Sequence, residues 1–557
     1  MADQSTRRFS PLVVLICAML FSTVSPRADA QASPGSGRTG VTEPDTSTLR
    51  QLFVESGEVF PTAVKPLSRE ALARISGDLP SGPGITGSAA DGAATGRSAA
   101  DGAATAFSEA LDYREGELRL EVGLDVRPQA YLDWNREERE FLEVRELEAP
   151  LLRLDTSFGV DGGPKLVTGT VLQREYDIDS PTNIPLPEEG NPLPFENNGI
   201  YTGYVQVPGE YLQTTFGRQQ IHIGPSPYSS LLVSDRIPYL DAARLSLRLG
   251  RLRMTHLVST LENTASDPEE AAGLPELLES DAFEHGGQYA YDKNIIFYNV
   301  HYFEYAWRRL RLGVAGQMVV SRPMNQFHLG DFFPVFSWHN ADLVPNNMCM
   351  VIDATYALTP GLSAYLQAGW DDISARSFGV ADSELPTISG YIVGLRYDRR
   401  TGNRLLHALI EGGYTHYLWG SFHEEFALSR AIYRQDVDGD PRAMPLTSPF
   451  GPGSVWAVSR LEHAWANGFE IGIEYLFRSE NTRANLYDTP YRAAGRLESA
   501  PRRSVHRLAV EPRFSFSSGF GLSAEPAVLL DEGEPAVEAR LTASYRYGAT
   551  RRPRAGR

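Results

Sequence analysis

From Glu117 to Tyr547 the chain keeps returning to one pattern, in which apolar and polar residues take strict turns. Leu118, Leu120, Val122, Leu124 and Val126 alternate with Glu117, Arg119, Glu121, Gly123 and Asp125. Leu362, Ala364, Leu366, Ala368 and Trp370 alternate with Ser363, Tyr365, Gln367 and Gly369. The same rhythm governs Phe469 to Arg478, Arg507 to Phe516 and Val537 to Tyr547. A period of two gives a strand one apolar and one polar face, whereas a helix would need a period near 3.6. Each stretch is roughly 9–11 residues long, the length of a tilted strand crossing a bilayer. After the N-terminal region no segment reaches 18 uninterrupted apolar residues, so a transmembrane helix is not expected.

The connections sort into two kinds. Thr359-Pro360-Gly361, Asn467-Gly468 and Ser517-Ser518-Gly519 are tight turns, and long polar segments near 371–388, 420–453 and 479–503 lie between them. Short turns on one side and long loops on the other mark an outer-membrane barrel. Strands are expected near 117–126, 151–159, 166–175, 199–207, 211–223, 243–249, 251–261, 294–306, 308–320 and 349–358. They continue near 362–370, 389–398, 404–418, 454–466, 469–478, 504–516, 520–529 and 537–547. That is about 18 strands, an even number as bacterial barrels have. In hydrocarbon an unpaired backbone amide costs several kcal/mol, so the sheet must close on itself. The fold class is therefore an all-β, antiparallel transmembrane β-barrel, preceded by a short N-terminal periplasmic helical segment.

The rest of the chain fits export. Residues 1–30 read as a cleaved signal peptide, with Arg7 and Arg8, an apolar run from Pro11 to Val24, and small residues at Ala28 and Ala30. Residues 31–110 read as a periplasmic segment and linker. Ser68 can cap a helix through Leu72 and Ile75, and SAADGAAT occurs twice, from Ser88 and from Ser98. The barrel is expected over 111–548, with a basic tail at 549–557. Cys17 leaves with the signal, so Cys349 has no disulfide partner. A formal charge of −18 excludes nucleic acid as a partner. No phosphate-binding or dinucleotide fingerprint occurs, so no cofactor is expected. No nucleophile elbow occurs either, so no enzyme is expected. Asp436, Asp438 and Asp440 lack the closing ligands of a calcium loop, so no metal is assigned.

From Gly217 to Leu249 the residues GRQQIHIGPSPYSSLLVSDRIPYLDAARLSLRL resemble the Wzi-like capsule-assembly family. Arg218, Gly224, Pro225, Ser230, Leu231, Leu232, Ser234, Pro238 and Asp241 match that family's pattern, while Ile223 and Ser226 depart from it. His301, Phe303, Glu304, Pro334, Asn347, Asp353, Leu366, Trp370, Asp371 and Asp372 form a second similar block. The resemblance implies an 18-stranded barrel that binds or assembles surface polysaccharide. Its other expected partners are outer-membrane lipid and the barrel-assembly machinery. A porin or transporter for small polar solutes is the alternative, because an alternating Arg, Glu and Ser lumen also suits a wet channel.

Arg218, His222, Ser234 and Asp235 flank the Gly224-Pro225 turn. They read either as a loop presenting polar groups to glycan or as a constriction held by ion pairs. Trp338 and His339 lie in another outer loop and are further candidate sugar contacts. By period Trp370 faces lipid and joins the aromatic girdle, while Asp371 faces the lumen and is expected to pair with an arginine. Asp371 and Asp372 complete the set of candidate polysaccharide-binding residues. Gly224, Pro225, Pro238, His301, Glu304, Asn347 and Asp353 are the expected structural motif, with Asp353 in a lumen salt bridge.

Overall fold

The computed structural model describes residues 57–65, 118–134, 149–160, 162–173, 200–279, 290–323, 346–373, 386–402, 404–421, 424–437, 440–484, 500–516 and 518–551, with a few isolated positions besides. Within them runs a closed barrel of 18 antiparallel strands. The strands are Leu118–Val126, Leu152–Val160, Lys165–Leu172, Ile200–Val207, Leu212–Gln219, Leu240–Leu249, Leu252–Leu261, Asn294–Trp307 and Leu310–Pro323. The second half comprises Asn346–Thr359, Leu362–Asp372, Ile388–Thr401, Arg404–Thr415, Ser454–Ala464, Phe469–Asn481, Arg502–Ser515, Phe520–Asp531 and Glu534–Arg551. Each strand pairs with its chain neighbours, and the last closes on the first through Tyr545↔Val126 to Arg551↔Leu120. Every expected strand is present.

Five departures from the sequence reading are local. Gln129–Trp134 prolongs the first strand past a break at Arg127-Pro128, where proline offers no N–H, and pairs with Val537–Thr542 of the last strand. The final strand runs to Arg551, so residues 549–551 belong to the barrel and not to a tail. The strand expected over 211–223 stops at Gln219, and the one expected over 404–418 stops at Thr415; both chains then turn inward. Segment 420–453 is not simply polar loop, because Ile432–Val437 and Asp440–Pro445 form a hairpin within it.

The alternation sets the two faces. Ile410 is 62% exposed and its neighbour Glu411 is 1% exposed. Phe216, Val393, Leu395, Leu508 and Leu541 share the exposed outer face, a belt that suits hydrocarbon and not water. Turns such as Arg308-Arg309 and Pro360-Gly361 close one end, and the long segments gather at the other. By the barrel rule these ends are periplasmic and external. The signal sequence, the helix expected after Ser68 and the tandem repeat lie outside the described residues. The described stretch 57–65 is not a separate periplasmic element: it starts at the short turns and enters the lumen. Val59 N–H donates to the Arg308 carbonyl at 2.8 Å. Thr62 Oγ1 donates to Glu304 at 2.7 Å, and Ala63 N–H does so at 2.6 Å.

Candidate functional site: a plugged lumen under an outer cap

The lumen contains a hydrophobic core. After Gln219 the chain folds inward, and Ile221, Ile223, Leu231, Leu232, Val233 and Ile237 are all buried. This inward loop reaches several walls. Leu231 N–H donates to Gln367 at 2.8 Å, and Gln317 Nε2 donates to the Leu231 carbonyl at 3.0 Å. Tyr228 hydroxyl donates to Glu474 on a strand far around the barrel. Ser229 donates to Ser448 at 3.0 Å.

The wall is cut to receive this plug. A Cβ on Gly369 would come 2.7 Å from Trp419 and 3.3 Å from Leu231, and one on Gly390 would come 2.9 Å from Leu231. Only glycine allows that approach without displacing a packed side chain. Gly224 has φ +153°, and a Cβ there would meet Ser230 Oγ at 2.9 Å, so the Gly224-Pro225 turn also needs glycine. A cavity between Tyr298, Gln317, Cys349, Asp371 and Trp419 holds about 10 Å³. That is room for about one water and not for a sugar ring.

External segments form a cap over the plug. Ser266 starts the helix Asp267–Ala271, and its N–H and hydroxyl both donate to Glu269. Arg434, on the 432–445 hairpin, grips Glu269 through Nε at 2.9 Å and Nη2 at 2.7 Å. Tyr291 hydroxyl adds a third donor at 2.7 Å. Burial alone would raise the Glu269 carboxyl, but Arg434 and the two hydroxyls hold it down at about 2. Arg430 Nη1 donates to the carbonyls of Leu486 and Tyr487, which ties in another external segment.

The sequence-derived site residues are dispersed by this architecture. Arg218 does not face the lumen mouth. It shares the outward face with Phe216, pairs with Asp241 through Nε at 2.9 Å and Nη2 at 2.8 Å, and lies 3.9 Å from the Tyr239 ring centre. The reason is parity, since Gly217 and Gln219 take the inward positions. His222 and Ser234 are buried at 1% exposure each, so neither is open to a polymer. His222 Nδ1 stands 3.3 Å from Asp235, which stays partly exposed. Burial would raise the Asp235 carboxyl, yet His222, Lys65 and Arg236 hold it well below the usual carboxylate range. Asp371 does face inward but pairs with no arginine among the described residues; Gly420 N–H donates to it at 2.7 Å, because the chain after Thr415 folds into the lumen. Asp372 is partly exposed at the same strand end. Trp338, His339, Pro334 and the Asp438-Gly439 pair lie outside the described residues.

Of the motif residues, Pro225 and Pro238 are buried in the plug loop. Glu304 holds the N-terminal segment, and Asn347 Nδ2 donates to the Ser421 carbonyl at 3.4 Å. Asp353 faces inward, accepts from Tyr302 at 2.7 Å and lies 3.6 Å from Arg311. His301 faces outward with its ring 4.4 Å from that of His256. Sequence reasoning missed the outer-rim cluster of Tyr201, Tyr239 and Tyr433, whose ring centres are 6.4 Å apart in edge contacts beside Arg218 and Asp241. It also missed the Glu269–Arg434 lock. The only signal for that lock was Ser266 three residues before Glu269, a capping box.

No protein-family model matches the chain, and no curated protein does. Among solved structures the chain is similar to Wzi of Escherichia coli, described as a carbohydrate-binding β-barrel involved in group 1 capsule assembly. The match has 12% identity and a TM-score of 0.56, and covers 91% of this chain and 99% of that one. The chain has the fold of that outer-membrane barrel, and the Wzi-like resemblance holds at the level of the fold. OpdL of Pseudomonas aeruginosa aligns at 12% identity and a TM-score of 0.44, over 77% of this chain and 99% of its own. A BenF-like porin from Pseudomonas fluorescens Pf-5 aligns at 10% identity and a TM-score of 0.40, over 78% of this chain and 100% of its own.

Proposed function

We propose that this protein sits in the outer membrane, binds surface polysaccharide at its closed external end and holds it at the cell surface, as an anchor and not as a conduit or an enzyme. The observation that carries this reading is the plug. Leu231, bonded to Gln317 and Gln367, and Tyr228, bonded to Glu474, tie opposite walls together through a buried core. A lumen crossed in this way leaves the external surface as the working face. The shared fold with a barrel described as carbohydrate-binding supports the same reading. Export by the N-terminal signal and insertion by the barrel-assembly machinery complete the proposed route.

The contact surface most suited to sugar is the rim around Arg218, Asp241, Tyr201 and Tyr239. Aromatic faces can take sugar C–H groups, and the half-exposed Arg218–Asp241 pair can exchange hydrogen bonds with hydroxyls. Asp235 and Asp372 are, with Arg218, the accessible members of the sequence-derived set, and Trp338 and His339 remain candidates. The test is capture of native cell-surface glycan by the detergent-purified full chain, with planar-bilayer conductance on the same sample. Retained glycan, no steady conductance, and loss of capture in Tyr239→Ala or Asp241→Ala are expected. Absent capture with a large steady conductance would replace this reading with the transporter.

A further inference from the structure

Two segments enter the lumen from opposite ends and meet inside it. Residues 57–65 come from the periplasmic end, past the Arg308 and Pro360 turns. Residues 220–239 come from the external end. They join in a two-residue antiparallel ladder, Val64↔Ile223 and Lys65↔His222, extended by Gly224 N–H to the Ala63 carbonyl at 3.3 Å. A ladder this short has no stability of its own and exists only while both strands are held in place. Glu304 holds one of them, through Thr62 and Ala63. The other continues to Ser229, which bonds Ser448 beneath the cap. The segment bearing Ser448 also bears Arg434, locked onto Glu269.

Glu304 also has a second partner at hand. Arg311 lies 4.0 Å from it, with side-chain exposures of 3% and 1% for the two. If Thr62 and Ala63 left, Glu304 would still face a buried cation, so departure of the segment strands no charge. The Gly224 amide and the His222 backbone opposite Lys65, by contrast, would lose their partners inside the core, a cost borne by the plug loop. Glu304 therefore tolerates the segment's departure, while the seated plug loop does not.

We propose that residues 57–65 are a strap through which the periplasmic side controls the external cap. Withdrawing the strap unseats loop 220–239 and loosens the cap. Thermodynamic reciprocity then requires that loosening the cap frees the strap.

Both directions can be read in the full chain in proteoliposomes. Ala63→Pro removes the amide that Glu304 holds. It should raise maleimide labelling of a Val64→Cys reporter from the periplasmic face, and raise protease cleavage within 262–293 from the external face, each by about tenfold or more. Arg434→Leu attacks the cap alone and should raise the same labelling at position 64. Oxidised Val64→Cys/Ile223→Cys, compared with its reduced form, should return cap cleavage in Ala63→Pro to the wild-type rate. Increased labelling in Ala63→Pro without increased cap cleavage overturns the proposal. So does cap opening in Arg434→Leu with labelling unchanged. Unchanged labelling in Ala63→Pro overturns it as well, since Glu304 would then not be what retains the strap. None of these readouts depends on glycan binding.

Discussion

The inward faces of strands Leu310–Pro323 to Arg404–Thr415 and of strands Ser454–Ala464 to Glu534–Arg551 obey one alternation but meet different surroundings. The first set faces the plug. Its polar groups are Gln317, Gln367 and Glu411, spaced by glycine and aromatic residues, and the side chains of Arg311 and Asp353 keep 3% and 1% exposure. The second set carries a ladder of ions: Arg460 with Glu462 and Glu474, Arg507 with Glu525 and Glu538, and Arg513 with Glu470 and Glu511. Arg460 and Arg540 there keep 22% exposure and Arg507 keeps 16%. In the dry half the polar groups meet particular partners, Leu231 for Gln317 and Gln367, Tyr365 for Glu411 and Tyr302 for Asp353, because leaving such groups wholly unpaired is expensive. In the wetter half several arginines share several carboxylates, and water screens what is left over. The lesson is that an inward position in a barrel is not one environment.

The largest effect should come where a charge is most completely desolvated. Arg434→Leu leaves Glu269 buried without its cation, and should weaken the cap by about 3–5 kcal/mol. Hydrogen exchange across 262–279 would show it. An effect as small as that of a surface pair would mean that the cap is as wet as the ladder. Leu231→Ala in the dry half should destabilise the plug loop by about 2–5 kcal/mol, read as faster exchange of the 220–239 amides. A near-zero value would mean that the plug is loosely packed and that the contrast between the halves is overstated.

Acid should reproduce the first effect reversibly. The Glu269 carboxyl is held down at about 2, against an ordinary value of 4.5. A depressed carboxylate contributes its full stability above the ordinary value and loses it as pH falls towards the folded one. Protection of the cap from protease at neutral pH should therefore persist to about pH 5 and fall away between about 4.5 and 2. Loss of protection centred near pH 6 would point to a histidine instead. The smallest effect belongs to the ladder's rim. Arg503 and Asp531 pair at 2.5 Å while 34% and 36% exposed, so Arg503→Gln should cost no more than about 1 kcal/mol in thermal unfolding.

Strand rhythm was legible because it is local. Ile410 and Glu411 differ in polarity, and any closed sheet must put them on opposite faces. The same rule placed Trp370 outward and Asp371 and Asp353 inward. Partners were not legible. Asp371 looked like half of an ion pair but accepts a backbone amide from Gly420, 49 residues away in sequence. Arg218 looked like a lumen group because its turn was read without its parity. Counting the alternation from Phe216, which points outward, puts Arg218 on the outer face beside Asp241.

Taken alone, the sequence determined the barrel, its strand count, its two kinds of ends and the alternation that sorts strand residues between two faces, since all of these follow from a period of two and the need to pair every backbone group in hydrocarbon. Tertiary structure decided which inward residues are dry. Gln367 and Arg507 obey the same alternation, but one meets Leu231 from a loop 136 residues away and the other meets carboxylates on neighbouring strands. Facing inward is a property of a strand and its neighbours. Being desolvated depends on a distant segment arriving to cover the site, and no short-range pattern records that arrival.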